Sequence, residues 1–176
     1  MLWVYGKIEK NLKGRKMGMR IVIFSDSHGD VEACRSVIDK IPGIDMAIHT
    51  GDIISDIQKL GTFFPELDRR YVPGNCDFSA LPSDLLFEVC GKKIFISHGH
   101  CYNVKNDSTY SKFKEKALSL GADMAVFGHT HKCVYENDGR LILINPGSIK
   151  YGRTFAIAEI EDGKIKADIC DFSMWK

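Results

Sequence analysis

The sequence has no long hydrophobic run, no dominant charge and no paired-cysteine motif, and each absence excludes a class of protein. No stretch approaches the ~18 consecutive apolar residues of a membrane-spanning helix. Leu2–Tyr5 is apolar but too short for a signal-peptide core, and its basic residues follow it rather than precede it. With 24 basic and 23 acidic residues the formal net charge is +1, which gives no electrostatic case for sequence-independent binding to nucleic acid or membrane. The six cysteines, Cys34, Cys76, Cys90, Cys101, Cys133 and Cys170, form no C-x-x-C pair. Reduced thiols in a cytoplasmic protein are the expectation. There is no internal repeat and no low-complexity tract. What is present is ordinary: 176 residues, 44% hydrophobic and 27% charged, enough for one globular core.

Charge is unevenly placed. Residues 1–19 carry Lys7, Lys10, Lys13, Arg15 and Lys16 against Glu9 alone, so the remainder is net acidic. This segment lacks apolar periodicity and reads as a loose N-terminal extension before a single domain spanning 20–176. Met17 and Met19, directly before the first convincing strand, leave open a start codon assigned too far upstream. A basic arm for an acidic partner is the alternative.

From Arg20 onward the pattern is strand, loop, helix. Ile21–Phe24 is a continuous apolar run suited to a strand buried on both faces. Val31–Ile41 reads as a helix stopped by Pro42-Gly43. Strands are expected at 45–48 and 69–72, with a short helix at 53–60 between them. The second half turns antiparallel. Strands at 85–90 and 93–97 flank Gly91-Lys92, a helix at 110–120 closes at Gly121, and a strand follows at 123–127. Two further hairpins turn at Asn137-Asp138-Gly139 and Glu161-Asp162-Gly163. The whole is an α/β arrangement. Phe63, Phe64, Leu85 and Phe87 are expected in the core.

Five loops directly follow predicted strands, and each carries metal-ligand residue types. They hold Asp26 and His28, then Asp52, Asn75, His98, and finally His129 with His131. Ligands of open α/β sheets bind outside the carboxyl ends of strands, where such loops converge. All six histidines, including His49 and His100, fall in or beside these loops. Each fragment has an ordinary reading of its own: Asp26-Ser27-His28 as a capping turn, Asn75 as a turn residue. The joint pattern is what carries weight. Imidazole mixed with carboxylate and amide oxygen suits manganese, iron, zinc or nickel, not an all-oxygen calcium or magnesium cage. Seven ligands exceed the needs of one ion with open positions. They match two ions sharing a carboxylate, at a spacing of roughly 3.5–4 Å, as used in phosphoryl hydrolysis.

The motif strings SDSHGD, HTGDII, PGNCD, SHGH and FGHTH resemble those of calcineurin-like metallophosphoesterases. The likeness is greatest to the small, single-domain bacterial and archaeal phosphodiesterases, and it covers residues 20–172. It implies a four-layer αββα sandwich of two packed sheets flanked by helices. It also implies that Asp26, His28 and His131 hold one metal, that Asn75, His98 and His129 hold a second, and that Asp52 bridges them. The implied cofactors are two divalent ions, Mn2+ foremost, with Ni2+, Zn2+ or Fe as alternatives. A bridging water ionised by two cations would attack phosphorus in line, with the amide of Asn75 neutralising charge on the non-bridging oxygens.

One departure refines the resemblance. Many members of the wider superfamily place a histidine after the metal-binding asparagine, where it assists the leaving group. Here that residue is Cys76, and a thiol of pKa ~8.5 replaces imidazole poorly as a proton donor. A preference for good leaving groups follows, and the small subfamily likewise lacks the histidine. His100 could contact the phosphate or leaving group, or only hydrogen-bond behind it. Asp77 could orient a neighbour or simply make a turn. His49 reads as a satisfied strand-end residue and Arg153 as a solvated arginine. Asn145-Pro146-Gly147-Ser148 could brace a ligand histidine from behind.

The expected activity is hydrolysis of small phosphodiesters. The alternatives are a phosphomonoesterase of the same fold and a non-catalytic scaffold akin to the retromer's phosphoesterase-like subunit. The scaffold predicts missing ligands, and none is missing here. A long-polymer nuclease fits poorly with an acidic body. Relatives suggest a homodimer or homotetramer.

Overall fold

The computed structural model describes residues 4–5 and 18–174. Most of the expected N-terminal extension, residues 1–3 and 6–17, lies outside the described residues. Of the rest, Val4–Tyr5 (β1) is a short strand and Gly18–Met19 already belong to the next one.

The elements then run Gly18–Phe24 (β2), Val31–Lys40 (α1), Met46–His49 (β3), Ile54–Phe63 (α2) and Asp68–Tyr71 (β4). Asp84–Val89 (β5), Lys92–Ser97 (β6), Ser111–Ser119 (α3) and Met124–Val126 (β7) follow. Cys133–Asn137 (β8), Ile142–Pro146 (β9), Thr154–Glu161 (β10) and Lys164–Asp171 (β11) complete the chain's regular elements. One sheet has the order β11-β10-β2-β3-β4, with β2, β3 and β4 parallel and β10 antiparallel to β2. The other has the order β1-β5-β6-β7-β9-β8, with β6, β7 and β9 parallel.

Side-chain alternation explains the layers. On β2, Ile21 and Ile23 face the other sheet, while Val22 and Phe24 face α1 and α2. On β6, Ile94 and Ile96 point between the sheets, and Phe95 points to α3. Strands covered on both faces must be apolar at every position, which is why they read as continuous runs. Phe95, Phe113 and Phe127 meet at centroid distances of 5.3 and 5.2 Å under α3. Each such fully buried ring contributes about 1.5–3 kcal/mol. The layer order is therefore helices, sheet, sheet, helix, which is the expected α/β sandwich.

Local signals work as the chemistry requires. Asp30 caps α1 by accepting from the Ala33 amide at 3.1 Å, and the chain leaves the helix just before Pro42. The β5–β6 turn sits one residue earlier than Gly91-Lys92. Cys90 and Gly91 both take positive φ, as a tight two-residue hairpin demands. Phe63 departs from its expected place in the core. It is 41% exposed, and the Arg35 guanidinium lies 4.3 Å above its ring. It ends α2 on the side away from the sheet, where a cation over the ring replaces burial. Leu85 and Phe87 are buried, and Phe64 is half-buried against the helical layer.

Candidate metal centre

The site forms where both sheets end. Asp26 and His28 follow β2, Asp52 follows β3 and Asn75 follows β4, all from one sheet. His98, His129 and His131 follow β6 and β7 of the other. Neighbouring parallel strands present their carboxyl ends at one edge, so residues more than 100 positions apart in the chain meet there. The backbone is bent for this purpose. Asp26, His28, Asp52, His129 and His131 all have φ between 41° and 66°, a region that side-chain-bearing residues rarely occupy. Among the described residues, five of the eleven non-glycine residues with positive φ are polar residues of this one cleft, and strain of this kind is common at functional sites.

All seven residues converge, in two groups joined by Asp52. Ligand-type atoms of Asp26, His28, Asp52 and His131 lie within 4.8 Å of one another. Asp52 Oδ2 is 3.7 Å from His28 Nε2, and Asp26 Oδ1 is 3.1 Å from His131 Nε2. On the other side, His98 Nε2 is 3.1 Å from Asn75 Oδ1, 3.2 Å from His129 Nδ1 and 3.4 Å from Asp52 Oδ1. Thus one carboxylate turns one oxygen toward each group.

Proton bookkeeping shows what this arrangement needs. His98 Nδ1 donates to the Thr50 carbonyl at 2.8 Å, so in the neutral ring Nε2 carries a lone pair. That lone pair faces a carboxylate oxygen and an amide oxygen, both acceptors. In the first group, Asp26 Oδ1 and His28 Nε2 are buried with no hydrogen-bond partner among the described residues. Acceptors that converge in this way are costly to bury unless a proton or a cation sits between them. The residues fit divalent metal on both sides of Asp52.

The electrostatics agree. Burial, with Asp52 nearby, pushes Asp26 up to about 6 despite a hydrogen bond from Ser25. Burial lowers His98, and it lowers His129 to about 4 with help from the Lys105 ammonium. Burial opposes ionisation of Asp52, but His98 and the Cys76 amide hold its carboxyl below the ordinary range. Burial thus favours the neutral form of the His98 and His129 imidazoles, the form that metal ligation requires.

Supporting groups hold these side chains in place. Asp26 Oδ2 is occupied by Ser25 Oγ and the His129 amide, which leaves Oδ1 for the cleft. Asn145 Nδ2 donates to the Gly128 carbonyl at 2.9 Å and Thr130 Oγ1 at 3.0 Å, bracing both neighbours of His129. Ser148 Oγ donates to the Asp26 carbonyl at 2.8 Å. His49 Nδ1 accepts from the Gly51 amide, so its Nε2 donates to Ser27 Oγ at 2.9 Å. Burial lowers His49 to about 4, keeping it neutral in that role. Two glycines are required by close approach: a Cβ on Gly74 would overlap the Asp52 carboxylate, and one on Gly128 would overlap Ser25 Oγ.

The remaining predicted residues lie around the rim. Asn75 and Cys76 are exposed, with Asn75 Nδ2 3.4 Å from Cys76 Sγ. Burial and the adjacent Asp52 raise the Cys76 thiol, so it is protonated at neutral pH. The ring of His100 lies 5.4 Å from that of His98, and its Nδ1 is buried without a hydrogen-bond partner among the described residues. Arg153 is not simply solvated: it pairs with Asp30 at 3.6 Å, and its guanidinium lies 4.7 Å from the Phe172 ring centroid.

Two contributors escaped the sequence reading. Asp56 in α2 is fully buried, and its Oδ2 accepts from Ser27 Oγ at 2.7 Å and the Gly29 amide at 2.8 Å. It clamps the loop that carries His28. An acid in a first helical turn looks like a dipole partner, so only the tertiary contact reveals it. Tyr151, an isolated loop aromatic, lies 5.4 Å from His131.

A two-sheet sandwich with a metal-type cluster at the strand ends is the architecture of metal-dependent phosphoesterases. The family model for the calcineurin-like phosphoesterase superfamily domain matches residues 19–163, and the chain belongs to that superfamily. It is 34% identical over 152 residues to the probable metallophosphoesterase YsnB of Bacillus subtilis, covering 82% of this chain and 86% of that one. It is 27% identical over 149 residues to phosphodiesterase MJ0936 of Methanocaldococcus jannaschii, covering 73% and 83%. A predicted phosphoesterase from Streptococcus pneumoniae superposes with a TM-score of 0.73 at 28% identity, covering 90% and 92%. Vacuolar Protein Sorting 29 from Cryptosporidium parvum shares the fold, with a TM-score of 0.70 at 17% identity over 88% and 98% of the two chains. The superfamily is metal-dependent and hydrolytic. Among the described residues no helix is long and apolar enough to cross a membrane.

Proposed function

We infer that this chain is a phosphodiesterase for small phosphodiesters, working with two divalent cations of which manganese is the first choice. Asp26, His28 and His131 would hold one ion, Asn75, His98 and His129 the other, and Asp52 both. The observation that carries this reading is the His98 lone pair facing acceptors on Asp52 and Asn75, with its own proton tied to Thr50. Phosphodiesterase-named relatives support the diester reading over the monoester one.

When bound, two such cations supply positive charge for a phosphate and bring the ionisation of a water toward neutral pH. The chain's own residues do the rest. Asn75 projects an amide from the exposed side, where its Nδ2 can donate to a non-bridging oxygen. His100 and Cys76 lie on the same side and face a departing alkoxide or phenoxide. The protonated thiol is a weak proton source, so leaving groups that need none are favoured. Thr50 and Asn145 hold their histidines rigid, so no reorganisation is needed at reaction. The retention of all seven polar residues in one cleft favours catalysis over a binding-only scaffold. The six free cysteines accord with a reducing, cytoplasmic setting.

The test is metal content together with substrate choice. Two equivalents of manganese per chain, falling to about one in Asn75→Ala, with faster turnover of diester than monoester, is the expected result. A single equivalent in the unmodified protein, or faster monoester turnover, contradicts it.

A further inference from the structure

Among the described residues, Tyr151 is the large aromatic that lies beside His28 and His131, and it is 65% exposed. Its ring is nearly parallel to that of His131, with 18° between the planes and 5.4 Å between centroids. The His28 ring lies 5.3 Å away. The tyrosine is not a floppy loop residue. Its amide donates to Ser148 Oγ at 3.0 Å, and Ser148 Oγ donates to the Asp26 carbonyl. The Gly152 amide closes the turn onto the Ser148 carbonyl at 2.9 Å. One hydroxyl therefore fixes both a candidate ligand strand end and the rim aromatic. A largely exposed ring carried on a backbone fixed in this way costs less entropy to use as a contact surface than one on a free loop.

The geometry also assigns it a side. Asp52 Oδ2 looks toward His28, and Oδ1 toward His98. Cys76 and His100, placed above at the leaving group, lie on the Oδ1 side. Tyr151 lies on the other, where the ester group that stays on phosphorus would project.

The geometry points to Tyr151 as a specificity-determining residue, a stacking platform for a planar aromatic group on the retained ester of the substrate, as in a nucleoside phosphodiester. Stacking of bases on aromatic side chains is strong and tolerant of base identity. The inference rests on the phosphodiesterase reading of the site.

The experiment compares two esters with the same p-nitrophenolate leaving group on manganese-loaded protein: thymidine 5′-(p-nitrophenyl phosphate) and methyl p-nitrophenyl phosphate. The unmodified chain should favour the nucleoside ester by about tenfold in kcat/KM, mostly through KM. Tyr151→Ala should bring that ratio toward one, and Tyr151→Phe should keep it. A ratio unchanged in Tyr151→Ala overturns the platform and leaves the phosphodiesterase standing. If neither ester is turned over, the phosphodiesterase reading fails. The platform is then judged by saturation transfer from protein to the base protons of thymidine 5′-monophosphate. Transfer lost in Tyr151→Ala and kept in Tyr151→Phe supports it, and transfer equal in all three proteins, or absent from the unmodified chain, overturns it.

Discussion

The carboxylate of Asp77 accepts the backbone N–H of Asp52 at 3.1 Å, so one aspartate sets the direction of another. The same carboxylate takes the Ile54 amide at 2.9 Å and the Gly74 amide at 2.8 Å. It therefore ties the loop after β3 to the loop after β4, and with them Asp52 to Asn75. Asp77→Ala leaves three amides without that acceptor and frees both loops. Metal affinity should fall about 10–100-fold, the usual cost of losing a group that orients ligands. Titration of metal-stripped protein reads this directly, and unchanged affinity removes Asp77 from the account.

Gly128 passes so close to β2 that a side chain there collides with Ser25 Oγ and lies 2.9 Å from Asp26 Oδ2. Gly128→Ala should cost about 2 kcal/mol of stability, as overpacking of a tight interior does. For a chain of this size that lowers Tm by about 4–8 °C. Thermal unfolding of the metal-free variant checks it, and an unaltered Tm means that the two loops can separate without penalty.

Acid should weaken metal binding from a defined point. In the metal-free protein Asp26 holds its proton up to about 6, because burial disfavours the carboxylate. A metal ion needs the ionised form, so below that pH it must displace at least one proton. Affinity should be level well above pH 6 and, below it, fall with a slope that approaches about tenfold per pH unit. His129, lowered to about 4, adds no competition until far more acidic conditions. Manganese titrations across pH 4.5–7.5 test the slope, and a flat profile through pH 6 contradicts it.

Cys76 holds Asp52 through its backbone, with the amide donating to Oδ1 at 3.0 Å. Its thiol also bonds the Asp52 carboxylate and lies 3.4 Å from Asn75 Nδ2, so a substitution exchanges those contacts and keeps the backbone one. Cys76→His should restore a proton donor at the leaving-group side. Turnover of alkyl esters relative to aryl esters should rise by about tenfold or more, within the range general acid catalysis supplies. An identical leaving-group dependence in both proteins would show that this position does not face the departing oxygen.

Much of this architecture is legible in the sequence alone. Ile21–Phe24 announces a doubly covered strand because every position in it is apolar, and the metal-type residues announce themselves because they cluster in strand-end loops. Longer-range relations were not legible. Nothing local in Ile54–Phe63 distinguishes Asp56, buried against the His28 loop, from a solvated helix acid. The three amides bound by Asp77 come from three separate positions that only the fold assembles. Phe63 failed as a core residue because a helix's last turn can rotate an aromatic out to meet Arg35. Tyr151 carried no motif at all, and its proximity to His131 depends on the turn built around Ser148.

The most direct measurement is hydrolysis of bis-p-nitrophenyl phosphate by metal-stripped protein to which manganese is returned, beside Asn75→Ala. The account predicts activity that appears only with the metal, exceeds that on p-nitrophenyl phosphate, and collapses in the variant. Activity that ignores metal removal, or a variant as active as the unmodified chain, would contradict it.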